Sequence, residues 1–484
     1  MAKPKKQYPE DFKTMFGVTV MGGTFYFGYI LISAYLMIYI TDYSGIYTGI
    51  AGKAAAVATL MLLIGRIWDG VNDPIFGFIM DRSPRTKWGR FKPFMFIFTP
   101  VSALLLIGLF SIPAGVSDIA KIALLYILYF LFDSAFTLLP ITPLTQSLSN
   151  DTRVRSKLLG APRIFSLVLS MLVSAFIAVA IALGPDGKTP NMGLGAVVFL
   201  VPLTILSVVG VALVKEGKNN ADEEQVKIKD ILAMAKANKP LWISLLVSLV
   251  GGFSWTFVNT AIYYYIKYAF GAEKLGTNSV IVGMMMLLSS LLGVFVVQGV
   301  MKIKGVTPAI AWIISYALSV VPLAILWIIN LAGPITNMAL FFLLIFLPLL
   351  GVGMSWMPQN LIMMECMDFN KDKVGKSMEG TVAAVNTFVM KLQAAVASAV
   401  TGAILVAIGY NAELYKNATT IPASLFSGLG IVMFALPALV SLIALGLLFF
   451  YPLRTKSQHD AMYAEIEKRK LEKAALTPSA GSTN

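Results

Sequence analysis

Residues 65–82 read GRIWDGVNDPIFGFIMDR, and their charged groups stand among residues that are otherwise apolar. Asp69 and Asp73 are four positions apart, so on a helix they share one face, a turn apart. Arg66 precedes Asp69 by three positions and falls on a neighbouring face. One guanidinium neutralises one carboxylate and leaves the other, which calls for a bound cation or a proton. A hard cation takes oxygen ligands, and two carboxylates with the Asn72 amide supply them. A proton serves equally, because two close carboxylates titrate as a coupled pair. Either way, the charge of the site follows ion occupancy. An ion pair that only pins helices together is the plainer alternative.

Other polar residues are placed in apolar surroundings. Arg163 and Lys391 suit ligand hydroxyls or an anionic group, or else pair with acids such as Asp133 or Glu379. Asp133, deep in its own apolar stretch, is either a ligand or a partner for a buried cation. Tyr26, Tyr29, Trp255, Tyr263, Tyr264 and Trp356 offer aromatic faces that stack on sugar rings, although core packing or interfacial anchoring is the plainer account of each. Catalytic machinery is not in view: the chain shows no nucleophile beside a base, no His or Cys metal cluster and no phosphate-binding glycine loop. No enzyme and no nucleotide-driven pump is expected, and no cofactor beyond a coupling cation, Na+ or H+. Asp69 and Asp73 count as metal ligands only if that cation is Na+.

The elements that must carry these residues are membrane helices. The chain has 484 residues, 57% hydrophobic and 13% charged, unlike a water-soluble domain. A bilayer core of about 30 Å needs about 20 apolar residues per helix. Twelve stretches qualify, at 14–41, 49–81, 92–112, 119–148, 154–184, 191–214, 240–270, 277–301, 307–330, 336–366, 375–409 and 422–451. The first lacks a cleavage site and is expected to stay as a helix. Each charge at the bilayer centre costs about 2.5–3.5 kcal/mol, so Arg66, Asp69 and Asp73 must face protein, a partner or water. Of 38 Lys and Arg, 29 fall in regions on the side of the termini, six in loops opposite and three inside spans, a positive-inside pattern that puts both termini in the cytoplasm of a cell-membrane protein. The net charge of +13 is therefore topological and does not mark a nucleic-acid binder. The single Cys366 excludes an intramolecular disulfide, and the single His459 stands in the tail.

Six spans precede residue 215 and six follow residue 239, which divides the chain into an N-terminal bundle (1–214), a cytoplasmic linker (215–239), a C-terminal bundle (240–454) and a tail (455–484). The fold class is an all-α membrane protein of two six-helix bundles, with the substrate site at the midplane between them. The linker carries a short amphipathic helix. The tail is expected to be helical over 461–473, disordered beyond and solvated, without a part in transport. Prolines 74, 140, 143, 202, 322, 348 and 358 interrupt backbone hydrogen bonding inside spans.

The run RIWDGVNDPIFGFIMDRSPRTKWGRFKPF (66–94) closely resembles the second-to-third-helix signature of the glycoside–pentoside–hexuronide cation symporters, the melibiose-carrier group of the major facilitator superfamily. YLMIYITD (35–42), Asp151 with Arg153 and Arg155, APRIF (161–165), MDFNKDKVGKSMEG (367–380) and VMKLQAA (389–395) resemble that family in the same order. The resemblance implies a twelve-helix carrier with alternating access, coupling sugar entry to Na+, H+ or Li+. It implies cation-site positions at Asp69, Asn72 and Asp73, sugar and coupling positions at Arg163 and Lys391, and the family's arginine at Arg66. Departures qualify it. Positions where the melibiose carriers hold sugar-reading acids hold Tyr26 and Leu138 here, a Na+-holding hydroxyl aligns with Ala135 beside Ser134 and Thr137, and an aromatic becomes Thr142. An acidic sugar such as a uronide, and H+ as the coupling ion, are thereby opened. The substrate set is Tyr26, Arg163, Lys391, Trp255 and Trp356. The coupling and gating set is Arg66, Asp133, Asp81 and Arg90, with the basic loop 82–92 closing the inner side. A monomer in the bilayer taking a small sugar is expected. The rivals are a lipid or lysolipid carrier of the same fold and a ligand sensor without flux.

Overall fold

In the computed structural model the described residues are 11–46, 53–148, 152–216, 236, 238–374, 379–410 and 422–476, with the side chains at some positions inside the helices, among them Arg66, Asp69, Asp81 and Arg163, outside that description. The described residues form helices joined by loops, without a strand. The order is α1 (Phe12–Leu36, extended by a π turn at Tyr39–Tyr43), α2 (Lys53–Arg82), α3 (Lys92–Leu109), α4 (Asp118–Thr145, broken after Thr137) and α5 (Thr152–Ala182). There follow α6 (Met192–Leu213), α7 (Lys239–Ala269), α8 (Leu275–Met301), α9 (Pro308–Leu331), α10 (Met338–Val374), α11 (Glu379–Ala407), α12 (Ala423–Phe449) and the tail helix α13 (Lys456–Leu476).

Eleven helices among the described residues are long and apolar enough to cross a bilayer. The twelfth expected span is α2, whose apolar part is only Ala54–Gly65 although the helix runs for 30 residues. At 1.5 Å per residue it reaches about 45 Å, enough to cross, and its charged half is what sets it apart. The expected spans match these helices closely. The first differs: α1 is not continuous α-helix but contains π turns at Ile32–Leu36 and Tyr39–Tyr43. Of the prolines, Pro140 ends a helix, because it has no N–H to donate; Pro202, Pro322, Pro348 and Pro358 sit inside unbroken ones.

Helices α1–α6 pack on one another through α1–α5, α1–α6, α2–α4, α3–α4 and α3–α6, and α7–α12 through α7–α11, α7–α12, α8–α10, α9–α10 and α9–α12. Among the described residues three seams join the groups, α2 against α11, α5 against α8 and, less extensively, the π-helical end of α1 against α7. Glycines allow the closest approaches: a Cβ on Gly283 of α8 would stand 2.4 Å from the Ser174 Cβ of α5, and one on Gly402 of α11 would stand 1.6 Å from the Thr59 hydroxyl of α2. Further along α5 and α8, towards the end that holds the chain termini, the seam parts. Leu167, Val294 and Met357 there flank a groove with about 740 Å³ of empty space.

The far end is tied shut. Asp42 of α1 forms an ion pair with Lys267 of α7, and the Asp42 side chain is 0% exposed. Tyr410 donates to Asp42 Oδ1 at 2.8 Å, Thr41 donates to the same oxygen at 2.5 Å, and Tyr268 donates to Oδ2 at 3.3 Å. The Tyr264 hydroxyl lies 2.8 Å from that of Thr41, and the Lys267 ammonium stands 4.8 Å from the centre of the Tyr43 ring. One layer deeper, the Tyr35 ring packs at 4.4 Å on Tyr263, and Tyr35 donates to the Ser174 carbonyl at 3.3 Å. The π turns of α1 bring Tyr35 and Asp42 onto these partners.

At the terminal end the basic loop is held within its own half. Glu216, just past α6, accepts from the main-chain N–H of Arg90 (2.7 Å), Phe91 (3.0 Å) and Lys92 (3.2 Å) at the start of α3. A carboxylate at a helix N-terminus satisfies orphan donors and meets the positive end of the dipole. Arg90, expected to gate the inner side, is bound here through its main-chain amide to a residue of its own half. Asp81 lies among the undescribed side chains. The tail differs from the expectation. Its helix is longer than expected, and its first turn is docked: the His459 Nε2 stands 3.1 Å from Glu365 Oε1 at the end of α10, and Met462 packs against the apolar cluster of α7, α9 and α10. Most of the linker, 217–235, lies outside the described residues.

Two outcomes follow from these contacts. Lys267→Met and Asp42→Asn should each destabilise the far end by about 3–5 kcal/mol, the cost of leaving a buried charge alone, and the double change should recover most of it. Labelling of Ser33→Cys by an impermeant maleimide added at the far face should rise in each single variant, and equal labelling in all of them removes the ion pair as a lock. Gly89 has φ +116°, and a Cβ there would stand 2.2 Å from the Glu216 carboxylate. Gly89→Ala should therefore cost about 1–3 kcal/mol in thermal unfolding, and the cost should persist in a Glu216→Ala background, because the positive φ strains any Cβ there.

Candidate functional site

Three helices assemble the polar centre. On α2, Trp68 and Asn72 are one turn apart and Asp73 follows on the adjoining face. On α4, Asp133, Ser134 and Thr137 stand at the end of the helix, which stops there because Pro140 cannot extend it. On α11, Lys391 faces α2 across the seam.

The side chains form a continuous chain of contacts. Asn72 Nδ2 donates to Asp133 Oδ2 at 3.1 Å. The Thr137 hydroxyl donates to Asp73 Oδ1 at 3.1 Å and lies 3.5 Å from Asn72 Oδ1. The Lys391 ammonium sits 2.5 Å from Asp73 Oδ2. Trp68 Nε1 donates to Ser134 at 3.0 Å and so fixes α2 to α4 a turn away. Burial changes along the chain. Asn72 is 1% exposed and Asp133 7%, whereas the Asp73 and Lys391 side chains are 38% and 30% exposed. The Asp133 end is buried in protein; the Asp73 end is open. The Lys391–Asp73 pair is thus the more open of the two ends.

Carboxylate, amide and hydroxyl oxygens thus converge from Asp73, Asn72 and Thr137, a donor set that suits a small hard cation. Thr137 supplies the hydroxyl that Ala135 lacks, while Ser134 is engaged elsewhere. Among the described residues no three His, Cys, Asp or Glu side chains gather as a metal cluster. The side chains of Arg66, Asp69 and Arg163 lie outside the described residues, so Asp69 enters only through its place on α2, one turn before Asp73. Lys391 pairs with Asp73, while the Asp133 carboxylate accepts from Asn72 and the Glu379 side chain lies outside the described residues.

Beside this centre a cavity with about 790 Å³ of empty space opens between the two helix groups. Tyr29, Ser33 and Ser170 line it from one group, Trp255, Asn259 and Trp356 from the other. Met390 and Gln393, which flank Lys391 on α11, complete the wall. Trp255 and Trp356 therefore stand where expected. Tyr26 does not line the cavity; its ring packs edge-on against Phe25 at 5.4 Å, and Tyr29, a turn later, takes the cavity position. Gln393 was not singled out from sequence. It donates to the Gly252 carbonyl at 2.7 Å and to Thr256 at 3.0 Å. An amide in an otherwise small and apolar stretch, two residues after Lys391, was the available signal.

The MFS/sugar transport protein family matches residues 21–455. The chain is 25% identical to a lactose permease of Leuconostoc lactis over 90% of its own length and 69% of that protein. It is 24% identical to an isoprimeverose transporter of Lactiplantibacillus pentosus over 92% and 89%, and 23% identical to a glucuronide carrier protein homolog of Escherichia coli (strain K12) over 88% and 90%. The crystal structure of a D-xylose–proton symporter superposes with a TM-score of 0.64 at 15% identity, covering 90% of this chain and 97% of that one, a likeness of fold. With a family match over most of its length, the chain belongs to the MFS/sugar transport proteins, as a melibiose-carrier-like symporter family member of the major facilitator superfamily.

Proposed function

We propose that the protein is a secondary carrier of the cell membrane that couples uptake of a sugar or glycoside to entry of Na+ or H+ by alternating access. The observation that carries this reading is the half-exposed Lys391–Asp73 pair on the α2–α11 seam, beside the central cavity. Both termini are on the cytoplasmic side in this reading, so the far end is external. The form described here is then closed outside by Asp42–Lys267 and parted towards the cytoplasm.

The steps follow from the charges. A cation reaching Asp73, with Asp69 a turn away, competes with the Lys391 ammonium. Once the carboxylates hold the cation, Lys391 is released towards the cavity wall formed by its neighbours Met390 and Gln393. Substrate binding there favours the released lysine, so each ligand raises the affinity for the other. The units 1–214 and 240–454 then rock about the midplane site. The unit bounds themselves are part of the proposal. Reciprocal coupling of this kind needs no catalysis, and none is proposed. The charged-sugar reading relied on Lys391 and Arg163 as cavity cations. Lys391 rests on Asp73 in the form described here, and its release in the cation-bound form leaves both a neutral and an acidic sugar open to this reading. The lipid-carrier alternative has one observation on its side, the apolar groove at Leu167, Val294 and Met357. The serine- and amide-bearing central cavity favours a sugar over an acyl chain.

The test is uptake into proteoliposomes of a panel of labelled sugars, under separate Na+ and H+ gradients. Wild-type protein should accumulate at least one sugar under one of the gradients. Asp73→Asn and Asp69→Asn should lose gradient-driven accumulation by at least tenfold while retaining sugar exchange. Accumulation that survives both amide substitutions, or transport of lysolipid and no sugar, overturns the reading.

A further inference from the structure

The single histidine of the chain joins the tail helix α13 to the end of α10. The helix starts from a fixed point. Thr307, at the start of α9, donates to the Arg454 carbonyl. Thr455 and Gln458 then cap α13 reciprocally: the Gln458 N–H donates to the Thr455 hydroxyl at 3.3 Å, and the Thr455 N–H to Gln458 Oε1 at 3.1 Å. One turn further, His459 reaches Glu365, whose side chain is 6% exposed. Among the described residues no other side chain that can carry a positive charge stands within ion-pair distance of Glu365.

The surroundings of the ring suit one charge state. Its Nε2 stands 3.1 Å from Glu365 Oε1, and its Nδ1 stands 3.6 Å from Asp460 Oδ1. A neutral imidazole carries a proton on one nitrogen, the imidazolium on both, so only the charged ring presents a donor to each carboxylate. The other titratable neighbours add no cation. Asp368 of α10 and Tyr451 stand close to Glu365, Cys366 lies 3.8 Å from the Tyr451 hydroxyl, and the Tyr463 ring packs at 4.9 Å on that of His459. Burial, with Glu365 and Asp368 nearby, pushes the Tyr463 hydroxyl up to about 12, so it keeps its proton and takes no part in switching. Histidine is the side chain that gains or loses a proton within the range of cytoplasmic pH. Once the ring is neutral, Glu365 is a buried carboxylate without a counter-charge, and the docking weakens as pH rises.

We propose that His459 is a proton-operated latch on the transport cycle: while its ring is charged, α13 stays on α10, and in an alkaline cytoplasm α13 comes away and leaves α10 free to move. Helix α10 is where such a hold matters. It carries Trp356 at the central cavity, about two and a half turns before Glu365. It also carries Gly353, Met357, Asn360 and Leu361 on the groove that parts α5 from α8. Shutting that end brings this wall onto Leu167 of α5, and a tail helix fixed to α10 resists the movement. The latch therefore slows the step from the form described here to the one open outside, most strongly when the interior is acid. Where the coupling ion is H+, the protons that enter restrain further entry. The docking stands apart from the carrier reading, whereas its effect on the cycle rests on that reading.

The experiment has two arms, both on the full chain. The first measures the distance between spin labels at Ala464→Cys and Lys304→Cys, with Cys366→Ala, at about pH 6 and about pH 8. A narrow distribution at the acid pH should broaden at the alkaline one, whereas His459→Gln and Glu365→Gln should each give one distribution at both. If the membrane variant Glu365→Gln fails to fold, the tail variant His459→Gln keeps the test. The second arm uses right-side-out vesicles loaded at either pH, with the outer pH fixed and no substrate. Labelling of Ser33→Cys by an impermeant maleimide from outside should run about threefold faster with the alkaline interior, and equally in both interiors once His459→Gln is added. A label distance that ignores pH, or that shifts alike in the variants, overturns the latch. A tail that comes away without changing Ser33→Cys labelling overturns its hold on the cycle. A Ser33→Cys that stays unlabelled from outside under every condition, Asp42→Asn included, removes alternating access and the latch's role with it.

Discussion

A charge removed from water must find a partner, and the ion pairs between the helix groups answer to that requirement. Two ion pairs span the seams between the helix groups, and their burial separates their roles. Asp42 is fully buried and surrounded by the hydroxyls of Thr41, Tyr268 and Tyr410 in addition to Lys267. Separating that pair would leave a charge in a nearly dry site, so it can part only when water reaches the far end. Asp73 and Lys391 are each about a third exposed, and theirs is the more open pair. One pair is suited to hold a conformation, the other to respond to an arriving ion.

The same requirement explains why the polar centre is asymmetric. Asn72 is placed so that its amide N–H₂ meets Asp133 while its carbonyl oxygen turns towards Thr137. That orientation follows from the hydrogen-bond partners, since the Asp133 carboxylate accepts and cannot donate when ionised. Asn72 thus ties the buried end of the site to α4 and leaves its oxygen towards the open end. Pro140 contributes from a distance: by ending the first segment of α4 at Thr137 it sets the hydroxyl at a helix terminus beside Asp73.

Much of this was legible in residue order, and what was not has identifiable causes. Apolar runs separated by polar loops mark helices wherever a bilayer is the solvent, so the twelve spans could be placed within a few residues. The charges of α2 stand out for the same reason, and Asn72 and Asp73 do meet in one site. Lys391 was visible as an intramembrane cation, but its partner was not, because the α2–α11 seam joins residues 318 positions apart and no local pattern encodes that pairing. Asp42 and Lys267 were passed over because each stands near the end of a span, where an exposed loop charge is the ordinary expectation. Their burial depends on two π turns that no periodicity announces. Tyr26 was misplaced by a similar margin: in a broken helix, a position one turn away faces a different neighbour. The tail looked solvated because its composition is polar, and the docked first turn depends on one histidine meeting a buried glutamate of α10.

The remaining step concerns how an ion on one side of the α2–α11 seam can matter to a sugar on the other. Lys391 and Gln393 are two residues apart on α11. Lys391 reaches Asp73 of α2, and Gln393 reaches the Gly252 carbonyl and the Thr256 hydroxyl of α7. Helix α7 carries Trp255 between those two anchor points, at the wall of the central cavity. In the proposed cycle a displacement of Lys391 by a cation would act on the helix that holds Gln393, and Gln393 holds the turn that presents Trp255. The path is short, and every link is a hydrogen bond or a single helical turn. Coupling through it requires only that α11 have two resting positions, one with Lys391 on Asp73 and one without. Gly402, which lets α11 lie against Thr59 of α2 further along, provides a close contact about which such a movement can pivot.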